Sequence, residues 1–125
     1  MNTNPYRVIL DVLLNMTDKR LSMGALYSPN EQCGCAMGAF IPASVREAAR
    51  NNSGVATWRP GGGPEFTERV FEDYCVAAEV PANVAYEVQL INDDERASYQ
   101  TPSGRYARVV RKLSIRAAQW EERHT

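Results

Sequence analysis

Five prolines, Pro5, Pro29, Pro64, Pro81 and Pro102, stand where a helix can begin. Proline suits the first helical turn, where its missing N–H would have no partner, and it is excluded from helix interiors and central strands. Asn4-Pro5 opens a segment with Val8, Ile9, Val12, Leu13 and Met16 at helical spacing. Ser28-Pro29-Asn30-Glu31 is a capping box, which makes EQCGCAMGAF (residues 31–40) the body of a helix that Pro42 ends or kinks. Ser44-Val45-Arg46-Glu47 is a second capping box, opening a short helix to about Arg50.

Pro64 heads a helix with Phe66, Val70, Phe71, Tyr74, Cys75 and Ala78 on one broad apolar stripe. Pro81 heads another, with Val84, Val88 and Ile91 inward, closed by the polar turn Asn92-Asp93-Asp94-Glu95-Arg96. Thr101-Pro102 begins the last, whose buried stripe is Tyr106, Val109, Val110, Leu113, Ala117 and Trp120. Few segments alternate at period two. The fold class this predicts is mainly all-α: a bundle of five or six helices, with a small extended element near residues 20–27. At 125 residues the chain fits a single domain, 1–125, long enough to bury a core without staples.

The formal charge of −1 argues against a global electrostatic grip on nucleic acid. The N-terminus lacks the basic start and small-residue cleavage site of a signal peptide, and no apolar run approaches a membrane span. Three cysteines exclude a full disulfide framework and point to free thiols in a reducing cytoplasm, where the sequons at Asn15 and Asn51 carry no meaning. No metal and no cofactor is expected. On a helix Cys33 and Cys35 would lie about 200° apart, too far round to share an ion. Asn92 to Arg96 lacks the alternating carboxylates and central glycine of a calcium loop, and no Lys-Ser/Thr follows Gly61-Gly62-Gly63.

Cys33 near a helix start could carry a lowered pKa, but no histidine is placed as its base; the only one is His124. A thiol-dependent enzyme at Cys33 or Cys35 is therefore a rival reading. Packing explains the stretch better: Gly34 and Gly38 share a face beside Cys35, Ala36 and Ala39, so a second backbone can approach closely. Cys35 is then buried as a small hydrophobe.

Cys35-Ala36-Met37-Gly38-Ala39-Phe40 resembles the Cys-Ala-x-Gly-Ala-Leu segment of a family of small uncharacterised proteins from bacteria and their phages. In that family a Gly-Ala-Leu element precedes the segment, like Gly24-Ala25-Leu26 here, and an Asn-Asp pair follows at a helix end, like Asn92-Asp93. The resemblance implies a phage or mobile-element accessory protein and assigns no catalytic residue.

Two features suggest contact with a partner. The loop from Asn51 to Pro64 carries Trp58 and Arg59, residue types that anchor interfaces. From Pro102 onward six cations face only Glu121 and Glu122, a surplus of four in a chain of net −1. Arg105, Arg108, Lys112 and Arg116 fall along one side of that helix, with Arg111 beside them. They read either as a basic stripe for phosphates or an acidic partner, or as a solvated face paired with Glu68, Glu72, Asp73 and Glu79. The reading is a small cytoplasmic accessory or inhibitory protein, not an enzyme, that binds a host macromolecule, a host protein first. Its partner-binding residues are Trp58, Arg59, Arg105, Arg108, Lys112 and Arg116. The other rival is a nucleic-acid-associated regulator using the last helix. A homodimer through the small-residue face is also compatible, and no membrane partner is implied.

Overall fold

The computed structural model describes residues 3–22, 35–41, 73–94 and 101–124. Both capping boxes, Gly24-Ala25-Leu26, Cys33, the Asn51–Pro64 loop with Trp58 and Arg59, and Phe66, Val70 and Phe71 lie outside the described residues. Within them the protein is mainly α-helical, without a strand, as the sequence predicts. The helices are α1 (Pro5–Leu14), α2 (Ala36–Phe40), α3 (73–77), α4 (Ala82–Asn92) and α5 (Pro102–Arg123). Of the predicted extended element, residues 20–22 are non-helical, and 23–27 are not among the described residues.

Helix starts follow the chemistry of the caps. The side chain of Asn4 accepts from the N–H groups of Tyr6 and Arg7, satisfying donors that the first turn of α1 leaves open. Thr101 Oγ1 accepts from Gly104 N at the start of α5. Residues 75–80 end α3 by a different device. Val80 N donates to Cys75 O and Glu79 N to Val76 O, the paired bonds of a Schellman motif. That motif needs a left-handed residue, and Glu79 takes it at φ 65°. Its carboxylate accepts from Thr3 Oγ1 at 2.7 Å, which ties the chain start to this corner.

α1 and α4 both run antiparallel to α5. Asn4 Nδ2 donates to Ala117 O at one end of α1, and Tyr106 OH donates to Leu13 O at the other. Arg116 pairs with Glu87, and Arg108 reaches Ile91 O and Asn92 O. The short α2 packs against α1 and α4. The core between them holds Ile9, Leu10, Leu13, Met37, Val88 and Leu113, all essentially without solvent contact. Burial of each such side chain contributes about 1.5–3 kcal/mol. Most of the predicted stripe positions are in or against this core, including Val84, Val109 and Ala117.

The cysteine stretch departs from expectation. Cys35 is not within a helix body; it is the extended N-cap of α2, which starts at Ala36. Its Sγ accepts from Gly38 N at 3.4 Å, the role a serine hydroxyl usually fills. A second acceptor comes from far along the chain: Asn92 Oδ1 takes Ala36 N–H at 2.9 Å. Asn92 Nδ2 donates to Ser22 O at 2.9 Å and to Asp93 Oδ1 at 2.8 Å. This carboxamide is 1% exposed and joins three segments of chain.

Truncating it would strand the Ala36 N–H away from water, at about 1–3 kcal/mol for an unsatisfied group, and would take a donor from Ser22 O. Asn92→Ala is expected to lose about 3 kcal/mol of unfolding free energy in urea titration. Asn92→Asp should do no better. It keeps an acceptor for Ala36 but sets an oxygen against Ser22 O and a second carboxylate beside Asp93.

Candidate functional site

The basic residues of α5 divide between the inside and the outside of the protein. Arg105, expected on a surface stripe, is 3% exposed, and its Nη1 donates to Leu21 O at 2.8 Å. Leu21 N in turn donates to Pro102 O, so the 21–22 segment is clasped by the first turns of α5. Arg108 donates through Nη1 to Ile91 O at 2.6 Å and through Nη2 to Asn92 O at 3.1 Å. Those carbonyls belong to the last turn of α4, which has no intrahelical donor for them. A cation there also suits the negative end of the helix. Burial lowers the pKa of Arg108, with Asp94 opposing the shift.

The predicted alignment of Arg105, Arg108, Lys112 and Arg116 on one side of α5 is therefore geometrically sound. That side faces α4 and the 21–22 segment over part of its length. Arg105 lies inside the protein and Arg108 is half-buried, while Lys112 is exposed and Arg116 stands at the border. The expected acidic acceptors differ as well. Arg116 pairs with Glu87 at 2.9 Å, and Glu79 takes the Thr3 hydroxyl. Glu68 and Glu72 are outside the described residues. Trp58 and Arg59 are too, so nothing here places them against α5.

Arg116 leads to a site that the sequence did not single out. The starts of α1 and α4 and the end of α5 meet around a groove of about 280 Å³. α1 contributes Pro5 and Tyr6, and α4 contributes Asn83 and Val84 after Pro81. Arg116, Gln119, Trp120 and Arg123 line it from α5. Tyr6 OH donates to Glu87, whose other carboxylate oxygen takes Arg116 Nε. Arg116 Nη1 donates to Gln119 Oε1 at 3.3 Å. Trp120 is stacked on His124 with ring centroids 3.7 Å apart and planes 7° from parallel, and His124 Nδ1 donates to Trp120 O. No carboxylate is among the groove's lining residues.

A buried polar cluster lies at the other end of α4. Gln89, fully buried, donates through Nε2 to Asp93 Oδ2 at 2.6 Å and borders the Cys35 thiol; its Oε1 finds no hydrogen-bond partner among the described residues. Burial pushes the Cys35 thiol up to about 12, and the Asp93 charge adds to this, against the lowering from the Gly38 N–H. Cys35 sits at a helix start, yet desolvation outweighs the helix end, so at neutral pH it is a protonated thiol. Cys35 and Cys75 are both buried, and neither is part of a disulfide. Among the described residues no three His, Cys, Asp or Glu side chains group as metal ligands, and no helix is long and apolar enough to cross a membrane. The Ala36–Asn92 bond directly joins the Cys35-Ala36 and Asn92-Asp93 pieces of the chain.

The chain matches no protein-family model, no curated protein and no solved structure.

Two outcomes follow from these environments. In a Cys33→Ser background, native Cys35 and Cys75 are expected to react with a disulfide reagent at pH 8 only as the fold opens, so added denaturant should raise the rate steeply. Fast labelling of native protein would contradict the burial of both thiols. Tyr6 titrates at about 12 rather than 10 because of burial and its bond to Glu87. A raised folded pKa stabilises below the unfolded value and is lost as pH rises through the folded one. Stability attributable to Tyr6 should thus fall between pH 10 and 12, and Tyr6→Phe should flatten that part of the profile in urea titrations.

Proposed function

We propose that this is a small accessory or inhibitory binding protein that docks on a host protein in the cytoplasm. The observation that carries the reading is the meeting of Tyr6, Trp120, Arg116 and Arg123 on one groove. Tyrosine, tryptophan and arginine dominate binding energy at protein interfaces, because they combine large contact area with directional hydrogen bonds. Trp58 and Arg59 extend the same residue chemistry to a second segment, and exposed Lys112 provides charge on the outer side of α5. The resemblance to small bacterial and phage proteins supports a phage or mobile-element origin.

The buried, protonated thiol of Cys35 favours binding over thiol catalysis, since a nucleophile needs the thiolate and a base within reach. The engagement of Arg105 and Arg108 with backbone carbonyls favours a protein partner over nucleic acid. A duplex-binding surface neutralises a series of phosphates, each adding about −0.9 to the slope of log affinity against log salt.

The test is an affinity pull-down from host lysate, with and without nuclease, read by mass spectrometry and by absorbance for nucleic acid. One host protein is expected in both arms. It should be lost with Trp58→Ala combined with Arg59→Ala, or with Trp120→Ala. Recovery that vanishes with nuclease would move the function to the exposed cations of α5, and recovery of nothing specific would end the partner reading.

A further inference from the structure

We infer that the groove between the starts of α1 and α4 and the end of α5 accepts an acidic peptide segment of the partner, with a carboxylate held by Arg116 and Arg123 and its apolar neighbour against Trp120. The inference rests on the protein-binding reading above and adds the chemistry of what is bound.

Charge is the first argument. Two arginines line the groove and no carboxylate does. Glu87, just behind Arg116, already accepts from Tyr6 OH and Arg116 Nε, so its charge is matched within the fold. Arg116 is fixed through Nε to Glu87 and Nη1 to Gln119, and its Nη2 has no acceptor among the described residues. A guanidinium held by two of its nitrogens loses little freedom when the third binds. Arg123 is exposed and makes no ion pair among the described residues. A carboxylate matches the guanidinium fork in geometry as well as in sign.

Size and composition separate the candidates. At about 280 Å³ the groove lies at the lower edge of the ~300–1,000 Å³ typical of small-molecule sites, and it suits one or two side chains of a peptide. Pro5, Pro81, Val84 and Trp120 supply apolar walls, which a run of phosphates would leave unused. Lys112 continues the cationic row one turn from Arg116, but the next member, Arg108, is turned onto the carbonyls of α4, so the row stops short of a backbone track.

The test uses Trp58→Phe protein, in which Trp120 is the single tryptophan. Its indole signal is followed by NMR during titration with acetyl-Leu-Glu-Phe-amide, acetyl-Leu-Gln-Phe-amide and an oligothymidylate. The acidic peptide is expected to bind with a Kd of about 1 mM or below, and the glutamine peptide about tenfold more weakly. Arg123→Gln, an exposed substitution, should remove about tenfold of the acidic peptide's affinity. Its thermal melt should be unchanged. Equal binding of the two peptides, no shift at about 5 mM of either, or tighter binding of the oligothymidylate would overturn the inference. Arg123→Gln also separates the two proposals in the pull-down. A host protein held equally by this variant and by the parent overturns the groove inference and leaves the protein-binding reading standing. Acid-selective peptide binding with no host protein recovered supports the groove's chemistry and counts against the wider reading.

Discussion

The carboxamide of Asn92 is the point on which the described architecture depends. Its oxygen replaces the missing preceding turn for Ala36 N, and its two N–H bonds go to Ser22 O and Asp93 Oδ1. α2 has five residues, too few to be stable as an isolated helix. Its position between α1 and α4 must come from tertiary contacts, and this acceptor fixes where its first turn begins. The same residue holds the 21–22 segment, which Arg105 grips from the other side through Leu21 O. Two buried polar side chains, one from α4 and one from α5, thus order a stretch of chain that has no regular structure of its own. Buried polar groups stabilise such an arrangement only when their hydrogen bonds are satisfied, and among the described residues the orphan is Gln89 Oε1.

Local grammar was legible where the physics is local. Asn4-Pro5 and Thr101-Pro102 mark α1 and α5 because a cap and a proline act within one turn, and the structure starts both helices there. The inward positions of α4 and α5 followed from spacing for the same reason. The start of α2 was not legible. A capping box at Ser28 competes on paper with Cys35, and the acceptor that decides for Ala36 is Asn92, 56 residues away. Cys35 as the cap could have been suspected only from its distance of three residues to Gly38, a weak signal for a weak acceptor. The identity of Arg105 as a buried residue was hidden too. Charge patterning assigns arginines to solvent, and the buried carbonyl that Arg105 meets lies on the irregular backbone at Leu21, far away in the sequence.

The groove could not be read in advance because it is a property of topology. Its lining comes from residues near positions 5, 83 and 120, and they meet only because α1 and α4 both run antiparallel to α5. That arrangement brings two helix starts and one helix end to the same side of the molecule. Trp120 was placed on the buried stripe by periodicity, and the structure leaves it half-buried at the edge of that stripe, stacked on His124. A tryptophan at the last turns of an amphipathic helix has core on one flank and open groove on the other. Spacing alone cannot divide the two.

The arginines of α5 illustrate how little a count of charges says about a surface. A surplus of four cations in a helix suggests a field strong enough to collect phosphates. Once Arg105 and Arg108 are drawn onto carbonyls and Arg116 is matched by Glu87, the charge open to solvent is Arg111, Lys112 and Arg123, set against Glu121 and Glu122 on the same helix. Long-range attraction from such a set is modest and is screened beyond roughly 8 Å at physiological ionic strength. Recognition must then come from contact rather than from steering, where direction and shape count more than net charge. Arg116 fits that requirement: Glu87 removes much of its long-range field while fixing its orientation, which weakens attraction at a distance and sharpens hydrogen bonding at the surface.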